Sequence, residues 1–349
     1  MRNTVAFNDK WAFSKEADQV PERMPERWIW VDLPHTWNGI DGQDGGGDYY
    51  RGTCYYANEF RKADLPEGEE YYLEICAANA SADVYVNGAK LAHHDGGYSA
   101  FRVNMTEHLK EENLVVIAVD NGVNERVYPQ QADFTFYGGL YRGVNIVAVP
   151  EAHFELEYYG TPGIKVTPKV NGQDAEVETE VYLSGDMTGK QLVYTLKNQD
   201  GSTAERKTVD AGQTQVNVEI RQVHLWNGKK DPYLYTMEVK LMDGETELDC
   251  VSTRFGCRTF YVDPEKGFFL NGESYPLRGV ARHQDRPKIG NALLPEHHRE
   301  DVDLICELGA TTIRLAHYQH NPYFYDLCDE RGLVIWAEIP YFETYAGGP

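Results

Sequence analysis

The sequence predicts a multidomain, mainly β protein. A jelly-roll β-sandwich and an immunoglobulin-like β-sandwich come first, followed by the opening strands and helices of a (β/α)8 TIM barrel. Short β-rich runs separated by turn signals fill the first 258 residues, and apolar runs then alternate with helical patterns. The chain has 349 residues, enough for two or three hydrophobic cores. We therefore divide it into residues 1–150, 151–258 and 259–349.

Residues 1–150 carry β-rich runs at regular spacing. Turn dipeptides such as Asn87-Gly88 separate the runs, as expected for hairpins. This spacing is typical of a β-sandwich, and we predict the jelly-roll type. The strand candidates are 53–60, 71–75, 82–86, 101–103, 115–119 and 144–149.

Residues 151–258 carry a second set of short β-rich runs joined by polar turns such as Asp200-Gly201. About seven strands in about 100 residues fit an immunoglobulin-like sandwich, without the Cys…Trp…Cys core of antibody domains. No catalytic pattern occurs here, and Trp226, Pro232 and Tyr233 are expected to serve packing. The strand candidates are 163–170, 175–183, 191–197, 215–220, 233–240 and 247–255.

The last part of the chain alternates three apolar runs with two helical patterns, which predicts parallel strands joined by right-handed crossovers. The first helix is predicted to begin at Pro295 and to stop at Gly309. The second has Asn321 as its N-cap, Pro322 at its first position and Gly332 as its stop. The apolar runs are 276–280, 311–315 and 333–339.

Polar side chains suited to a sugar follow at the predicted carboxyl ends of these strands. They are Arg282 with His283, then His317, then Glu338. In a (β/α)8 barrel that end carries the active site. His283 and His317 are therefore candidate donors to substrate hydroxyls. Glu338 is a secondary candidate, either a substrate contact or a structural group bonded to neighbouring loops.

A zinc site on the histidines of this segment is disfavoured. No His-Glu-x-x-His run and no paired cysteines accompany His283, His317 and His320. His297 and His298 lie in a charged helix start and are predicted to be solvated. A Gly-x-Ser-x-Gly elbow and a phosphate-binding glycine fingerprint are both absent from the sequence, which argues against serine hydrolases and nucleotide-binding proteins.

Two loops of the first domain contain acidic residues among glycines or aromatics. Asp41, Asp44 and Asp48 lie in a glycine-rich loop, but their spacing fails the alternate-residue pattern of a calcium loop. A turn whose carboxylates cap backbone amides is favoured there, with Asp48 kept as a secondary candidate for substrate binding. Asp133 lies among aromatic residues, including Phe134. It is either a capping residue or a saccharide contact, in which aromatic faces pack on sugar C–H groups and the carboxylate accepts hydroxyl protons.

The chain is strongly acidic, with a formal net charge of −22 and an isoelectric point near 4.9. This balance argues against nucleic acid or an anionic membrane as a partner. No apolar run approaches the length of a membrane helix, and the amino terminus lacks a signal-peptide core. The six scattered cysteines favour free thiols in a reducing compartment, so we expect a cytoplasmic protein.

Three segments of the last part resemble glycoside hydrolase family 2, most closely its bacterial β-galactosidases. Two further pairs of segments extend the resemblance over the whole chain. Residues 255–258 with 268–272 resemble the start of the family's barrel. Residues 133–134 with 139–142 resemble a loop of the sugar-binding domain whose aspartate reaches the non-reducing sugar. The three segments are 278–285 (RGVARHQD), 313–318 (IRLAHY) and 327–333 (LCDERGL).

The resemblance implies a retaining glycosidase that acts on terminal β-D-galactose in β-galactosides. By position, Asp133, His283 and His317 would contact the substrate, no cofactor would take part, and a homo-oligomer is a candidate assembly. β-Glucuronidase and β-mannosidase are the alternatives within the family, since a shared fold does not fix the substrate. A non-catalytic carbohydrate-binding module is the alternative outside it.

The resemblance also implies two catalytic glutamates about 5 Å apart, the acid/base following an asparagine. Asn58-Glu59 and Asn124-Glu125 have that pattern but lie in the first domain. Both catalytic residues are therefore expected beyond Pro349, and the chain alone is expected to be inactive. Related galactosidases carry a Glu-Thr-His run near magnesium, where this chain reads Glu343-Thr344-Tyr345. Tyrosine is a poor magnesium ligand, so we expect no metal there.

Overall fold

The first part of the chain forms two packed antiparallel sheets, in the jelly-roll arrangement predicted. The computed structural model describes residues 1–42, 49–129 and 132–341. One sheet has the strand order β1-β10-β5-β8 and the other β3-β2-β4-β9-β6-β7. The strands are β1 (Asn3–Ala6), β2 (Trp11–Ser14), β3 (Ile29–Val31), β4 (Thr53–Arg61), β5 (Glu70–Ile75), β6 (Ser81–Val86), β7 (Ala89–Asp95), β8 (Phe101–Asn104), β9 (Glu112–Asp120) and β10 (Val144–Val149).

The core of this sandwich follows from the alternation of side chains along the strands. In β9, Val115, Ile117 and Val119 are fully buried in the cluster between the two sheets. The β6–β7 turn contains Asn87 and Gly88, both with positive φ (53° and 84°), as the Asn-Gly hairpin signal predicts.

A second sandwich follows, with sheets ordered β12-β13-β17 and β16-β15-β18-β19 and a short β11-β14 pair. Trp226 is buried, as predicted, and its indole nitrogen donates to the carbonyl of Asp329 at 2.9 Å. It therefore ties the second sandwich to the last part of the chain. The strands are β11 (His153–Phe154), β12 (Ile164–Asn171), β13 (Asp174–Val181), β14 (Leu183–Ser184), β15 (Gln191–Lys197), β16 (Thr203–Asp210), β17 (Gln215–Ile220), β18 (Tyr235–Asp243) and β19 (Thr246–Phe255).

The last part opens with a small antiparallel sheet and continues as the predicted strand–helix alternation. The sheet β23-β24-β25 is parallel, with neighbouring strands in direct register. Short 3-10 helices occur at Lys62–Asp64, Thr106–His108 and Gly228–Lys230. The elements of this part are β20 (Phe260–Asp263), β21 (Gly267–Leu270), β22 (Glu273–Ser274), β23 (Gly279–Arg282), α1 (Pro295–Glu307), β24 (Thr312–Leu315), α2 (Pro322–Arg331) and β25 (Val334–Ala337).

The predicted helix ends are confirmed. The Asn321 side chain accepts a hydrogen bond from the amide of Tyr323 at 3.0 Å, which caps α2. Gly309 and Gly332 have φ of 78° and 69°, the left-handed conformation that ends helices.

Both helices pack on one face of the parallel sheet. The buried cluster there joins helix and strand residues such as Val302, Ile313 and Phe324. The other face carries Arg314 and Trp336, which are exposed. None of the helices in the described ranges is long and apolar enough to cross a membrane.

Candidate active site

The two predicted histidines meet at the carboxyl edge of the parallel sheet. His283 follows β23 and His317 follows β24 after one further residue, so direct strand register brings them to the same edge. Their ring centroids are 5.1 Å apart and their planes are inclined by 67°. The pair can therefore present ring nitrogens to one small ligand.

An aromatic ring from the first sandwich lies against both histidines. The centroid of Phe134 is 5.5 Å from that of His283 and 5.7 Å from that of His317, nearly parallel to the latter at 17°. Tyr318 adds a second aromatic ring 5.5 Å from Phe134. The site is thus built jointly by the sandwich and the barrel strands.

Asp133 precedes Phe134 and is exposed at the edge of this cluster. Burial, and then the charge of His317, lower the pKa of His283 below its ordinary value. The negative charges of Asp285 and Asp133 raise the pKa of His283 and so partly offset this lowering. The carboxylate of Asp133 is therefore close enough to influence His283 electrostatically.

Glu338 lies just beyond β25 and is bonded to neighbours instead of standing alone. Its carboxylate accepts from Nε of Arg314 at 2.6 Å and lies 3.0 Å from Nδ1 of His317. Burial alone would raise the pKa of Glu338, but the hydrogen bonds from Arg314 and His317 bring it below its ordinary value. In this geometry Glu338 holds His317.

Three buried asparagines hold the loop that carries Phe134. Each bonds to the backbone of one of three successive loop residues, so the loop is fixed although it has no regular secondary structure. No sequence pattern points to these asparagines, because they lie on three separate segments. The bonds join Asn121 to Phe136 (2.7 Å), Asn79 to Tyr137 (2.6 Å) and Asn38 to Gly138 (2.9 Å).

Contacts between the first sandwich and the barrel strands fix the two halves of the site. Tyr98 stacks on Tyr318 with centroids 4.2 Å apart. Arg142 donates to the carbonyl of Gln319 at 2.6 Å, and the hydroxyl of Tyr137 donates to Asp285 at 3.0 Å. These contacts link residues far apart in sequence, which pattern analysis does not detect.

Two expectations for this region were wrong. Arg282 was predicted to suit a sugar, but its side chain points to the helix-covered face and is buried against Asp301. His298 was predicted to be solvated, but only 2% of its surface is exposed, because it faces Arg282 from α1. Both residues therefore belong to the packing beneath the site.

The acidic loop of the first sandwich is described only in part. Asp41 accepts from the side chain of Asn38 at 3.1 Å and from the amide of Tyr50 at 3.2 Å, the capping role expected of a turn carboxylate. Asp48 lies outside the described residues, as does the Glu343-Thr344-Tyr345 run. Within the described ranges, no group of three or more His, Cys, Asp or Glu side chains is arranged to hold a metal ion.

Comparison with known proteins agrees with this architecture. The model of Glycosyl hydrolases family 2 matches residues 162–258, and that of its TIM barrel domain matches residues 262–346. A β-glucuronidase of Bacteroides fragilis is 37% identical over 97% of this chain, which covers 50% of that protein. A β-galactosidase of Thermoanaerobacter pseudethanolicus is 28% identical over 97% of this chain and 47% of its own length.

Solved structures give the same picture. The FMN-binding β-glucuronidase of Facaelibacterium prausnitzii superimposes with a TM-score of 0.93 at 40% identity, over 100% of this chain and 54% of that protein. A β-glucuronidase of Bacteroides uniformis gives 0.88 at 33% identity, over 100% of this chain and 43% of that protein.

Two β-sandwiches that lead into parallel barrel strands, with a histidine pair at the strand ends, define a multidomain protein of the glycosidase class. The chain belongs to glycoside hydrolase family 2. It spans about half the length of the curated relatives it matches.

Proposed function

We propose that this chain supplies the surface that binds the terminal sugar in a retaining β-glycosidase, and that the sugar is a β-D-glucuronide. The observation that carries the proposal is the cluster of His283, His317 and Phe134 at the carboxyl edge of the parallel sheet, with Asp133 beside it. Such an arrangement offers an apolar ring face and several hydrogen-bonding groups within one small volume, which is what a sugar ring requires.

Each residue of the cluster has a distinct part in binding. Phe134 packs on the C–H face of the sugar, and the two imidazoles bond to its hydroxyls. Asp133 accepts a hydroxyl proton from the sandwich side. Glu338 and Arg314 hold the His317 ring in place.

The residues assigned here bind and orient the sugar and do not break the bond. Retaining hydrolysis needs a carboxylate nucleophile and a carboxylic acid about 5 Å apart, and we assign both to barrel strands that follow β25. This chemistry uses side chains alone, so we propose no cofactor.

The choice of sugar rests on relatives. β-Glucuronidases match at 37% and 40% identity, whereas a putative β-galactosidase of Bacteroides fragilis matches at 36% and the β-galactosidase of Thermoanaerobacter pseudethanolicus at 28%. The sequence motifs favoured a β-galactoside, which we keep as the second candidate because that β-galactosidase also matches over 97% of the chain. In either case the cluster around His317 meets hydroxyl groups that both sugars possess.

The test is a pair of assays on the enzyme that contains this chain together with the later barrel strands. 4-Nitrophenyl β-D-glucuronide and β-D-galactoside are compared by kcat/KM. We expect kcat/KM to be higher for the glucuronide by at least about ten- to a hundredfold. This is the contribution of one charged hydrogen bond to the sugar carboxylate, which the galactoside lacks. A preference for the galactoside would reverse the assignment of the sugar, and turnover of neither would reject the proposed class. The 349-residue chain alone is expected to hydrolyse neither glycoside.

A further inference from the structure

A buried arginine lies directly beneath the histidine pair. Arg282 is the last residue of β23 and precedes His283, and only 6% of its surface is exposed. Its guanidinium stacks 4.0 Å from the ring of Phe324. Burying a guanidinium requires an acid and several acceptors, and the structure supplies them.

The guanidinium contacts three polar side chains at once. Two of its nitrogens donate to the same oxygen of Asp301 on α1, at 2.8 and 2.6 Å. One terminal nitrogen lies 3.1 Å from Nδ1 of His298, also on α1. The other lies 3.1 Å from Nδ1 of His320, beyond β24. A planar fork can make these contacts together, whereas a lysine ammonium could not reach them all.

The contact with His320 extends to the residue before His317. Arg282 can only donate, so Nδ1 of His320 accepts and its proton is on Nε2. Nε2 lies 3.0 Å from the carbonyl of Ala316, to which it donates. His320 is 1% exposed, and burial followed by the charge of Arg282 keeps its pKa well below the ordinary value. The neutral ring therefore links Arg282 to the backbone that carries His317.

We infer that Arg282, acting through His320, is a positioning residue that sets the separation of His283 and His317 and so shapes the sugar site. Arg282 is joined to His283 by a peptide bond. At the other end of the link, His320 donates to the carbonyl of Ala316, which precedes His317. The importance of this link for sugar binding rests on the function proposed above. The effect of the link on the separation of His283 and His317 is independent of that function.

The test uses the 349-residue chain labelled with ¹⁵N-histidine. His320→Phe keeps a ring but removes both hydrogen bonds, and His320→Gln keeps an acceptor and a donor. His298→Phe is the matched control. Within the described part of the chain, His298 contacts Arg282 and the α2 rings of Tyr323 and Phe324, and it has no hydrogen bond to the His317 segment. Nuclear Overhauser contacts between the His283 and His317 rings report their separation, and titration with D-glucuronate and D-galactose reports binding.

We expect His320→Phe to abolish the ring–ring contact and to weaken sugar binding about tenfold, the effect of losing a buried hydrogen bond. His320→Gln should restore most of both, and His298→Phe should leave both unchanged. Arg282→Lys should behave like His320→Phe; if it does not fold, the two His320 variants decide. An unchanged ring–ring contact in His320→Phe, or an equal loss in His298→Phe, would overturn the inference. If the parent chain binds neither sugar, the proposed function fails while the ring–ring contact still decides the positioning role.

Discussion

Nδ1 of His317 lies 3.0 Å from Oε2 of Glu338, and Arg314 contacts both residues. The ring nitrogen can donate to the carboxylate or accept from the guanidinium, but not both at once. In either state a charged neighbour is available, so the His317 ring is held in one orientation. Glu338 thus acts on the proposed sugar site through His317.

We predict that Glu338→Gln lowers the free energy of unfolding by about 1–3 kcal/mol at pH 7, because charged hydrogen bonds to Arg314 and His317 are weakened. Urea unfolding of the variant and the parent chain measures the difference. Glu265→Gln, at an exposed carboxylate of the β20–β21 turn, is the matched control and should differ little. If the Glu338→Gln variant is as stable as the parent chain, Glu338 does not contribute to stability and the prediction is wrong.

The same variant should reveal a pH dependence. The folded pKa of Glu338 is lowered, so its contribution to stability is present above the unfolded pKa, near 4.3 for an ordinary glutamate. It is lost as the pH falls through the lower, folded value. The difference between parent and variant should therefore be constant from pH 7 to about 5 and shrink below about 4. A difference that grows on acidification would contradict this sign.

We predict a second pH effect, of the same sign but beginning at a higher pH, from His298. Burial, followed by the charge of Arg282, lowers the pKa of His298 to about 3. Below about pH 6.5 the unfolded chain binds a proton that the folded chain does not, so stability falls by up to about 1.4 kcal/mol per pH unit. His298→Phe should reduce this slope between pH 6 and 5, measured by urea unfolding. His108→Asn, at an exposed position, is the control, and equal slopes in all three proteins would refute the prediction.

We predict that Asp133→Ala in the complete enzyme lowers kcat/KM by about ten- to a hundredfold, because a charged hydrogen bond to a sugar hydroxyl is lost. Asp133→Asn keeps the shape but not the charge and should recover part of the loss. Steady-state kinetics with the preferred glycoside provide the measurement. An unchanged kcat/KM in the alanine variant would show that the carboxylate is not a substrate contact.

Much of the fold could be predicted because its signals are local. The ends of α2 follow from Asn321 and Gly332, and β15 and β17 follow from their alternating or β-rich patterns. β16 (Thr203–Asp210) was not predicted. It is an edge strand in which seven of eight residues are exposed, so it lacks the apolar residues by which strands are recognised in a sequence.

The site was predictable only where residue type and strand end coincide. His283 and His317 satisfy both conditions, and the structure brings them together. Arg282 satisfied them as well, yet successive residues at a strand end point to opposite faces, so the arginine enters the packing while the histidine faces the site. Only knowledge of which face the helices cover could have separated the two, and that is a tertiary property.

We predict that Asn121→Ala destabilises the first sandwich by at least about 2 kcal/mol, since buried groups left without partners cost about 1–3 kcal/mol each. Its amide nitrogen donates to Phe136 at 2.7 Å, and its oxygen accepts from Gly52 at 2.9 Å. Calorimetry of the chain reports the transition of this domain. Asn217→Ala, at an amide bonded to Glu176 on the exposed surface, is the control and should change stability by less than about 0.5 kcal/mol. Equal effects would mean that the loop carrying Phe134 does not depend on this amide.

The last prediction concerns the two faces of the parallel sheet. The α2 side is attached to the second sandwich, through the Trp226 bond to Asp329 and ion pairs from Arg254 to α2. The other side is open, with Trp336 65% exposed and Val262 of the neighbouring hairpin 70% exposed. Parallel sheets are normally covered on both faces, and open strands exchange readily.

We therefore expect amides of β23 and β25 in the isolated chain to exchange hydrogen faster than those of β4 and β9 in the first sandwich. α2, which is held by the second sandwich, should be intermediate. Hydrogen exchange read by mass spectrometry gives the comparison, with sedimentation to establish that the sample is monomeric. A dimer that covers the open face would instead protect β25 in a concentration-dependent way. Equal protection of β25 and β9 in a monomeric sample would contradict the expectation, because it would show that one covered face suffices to hold these strands.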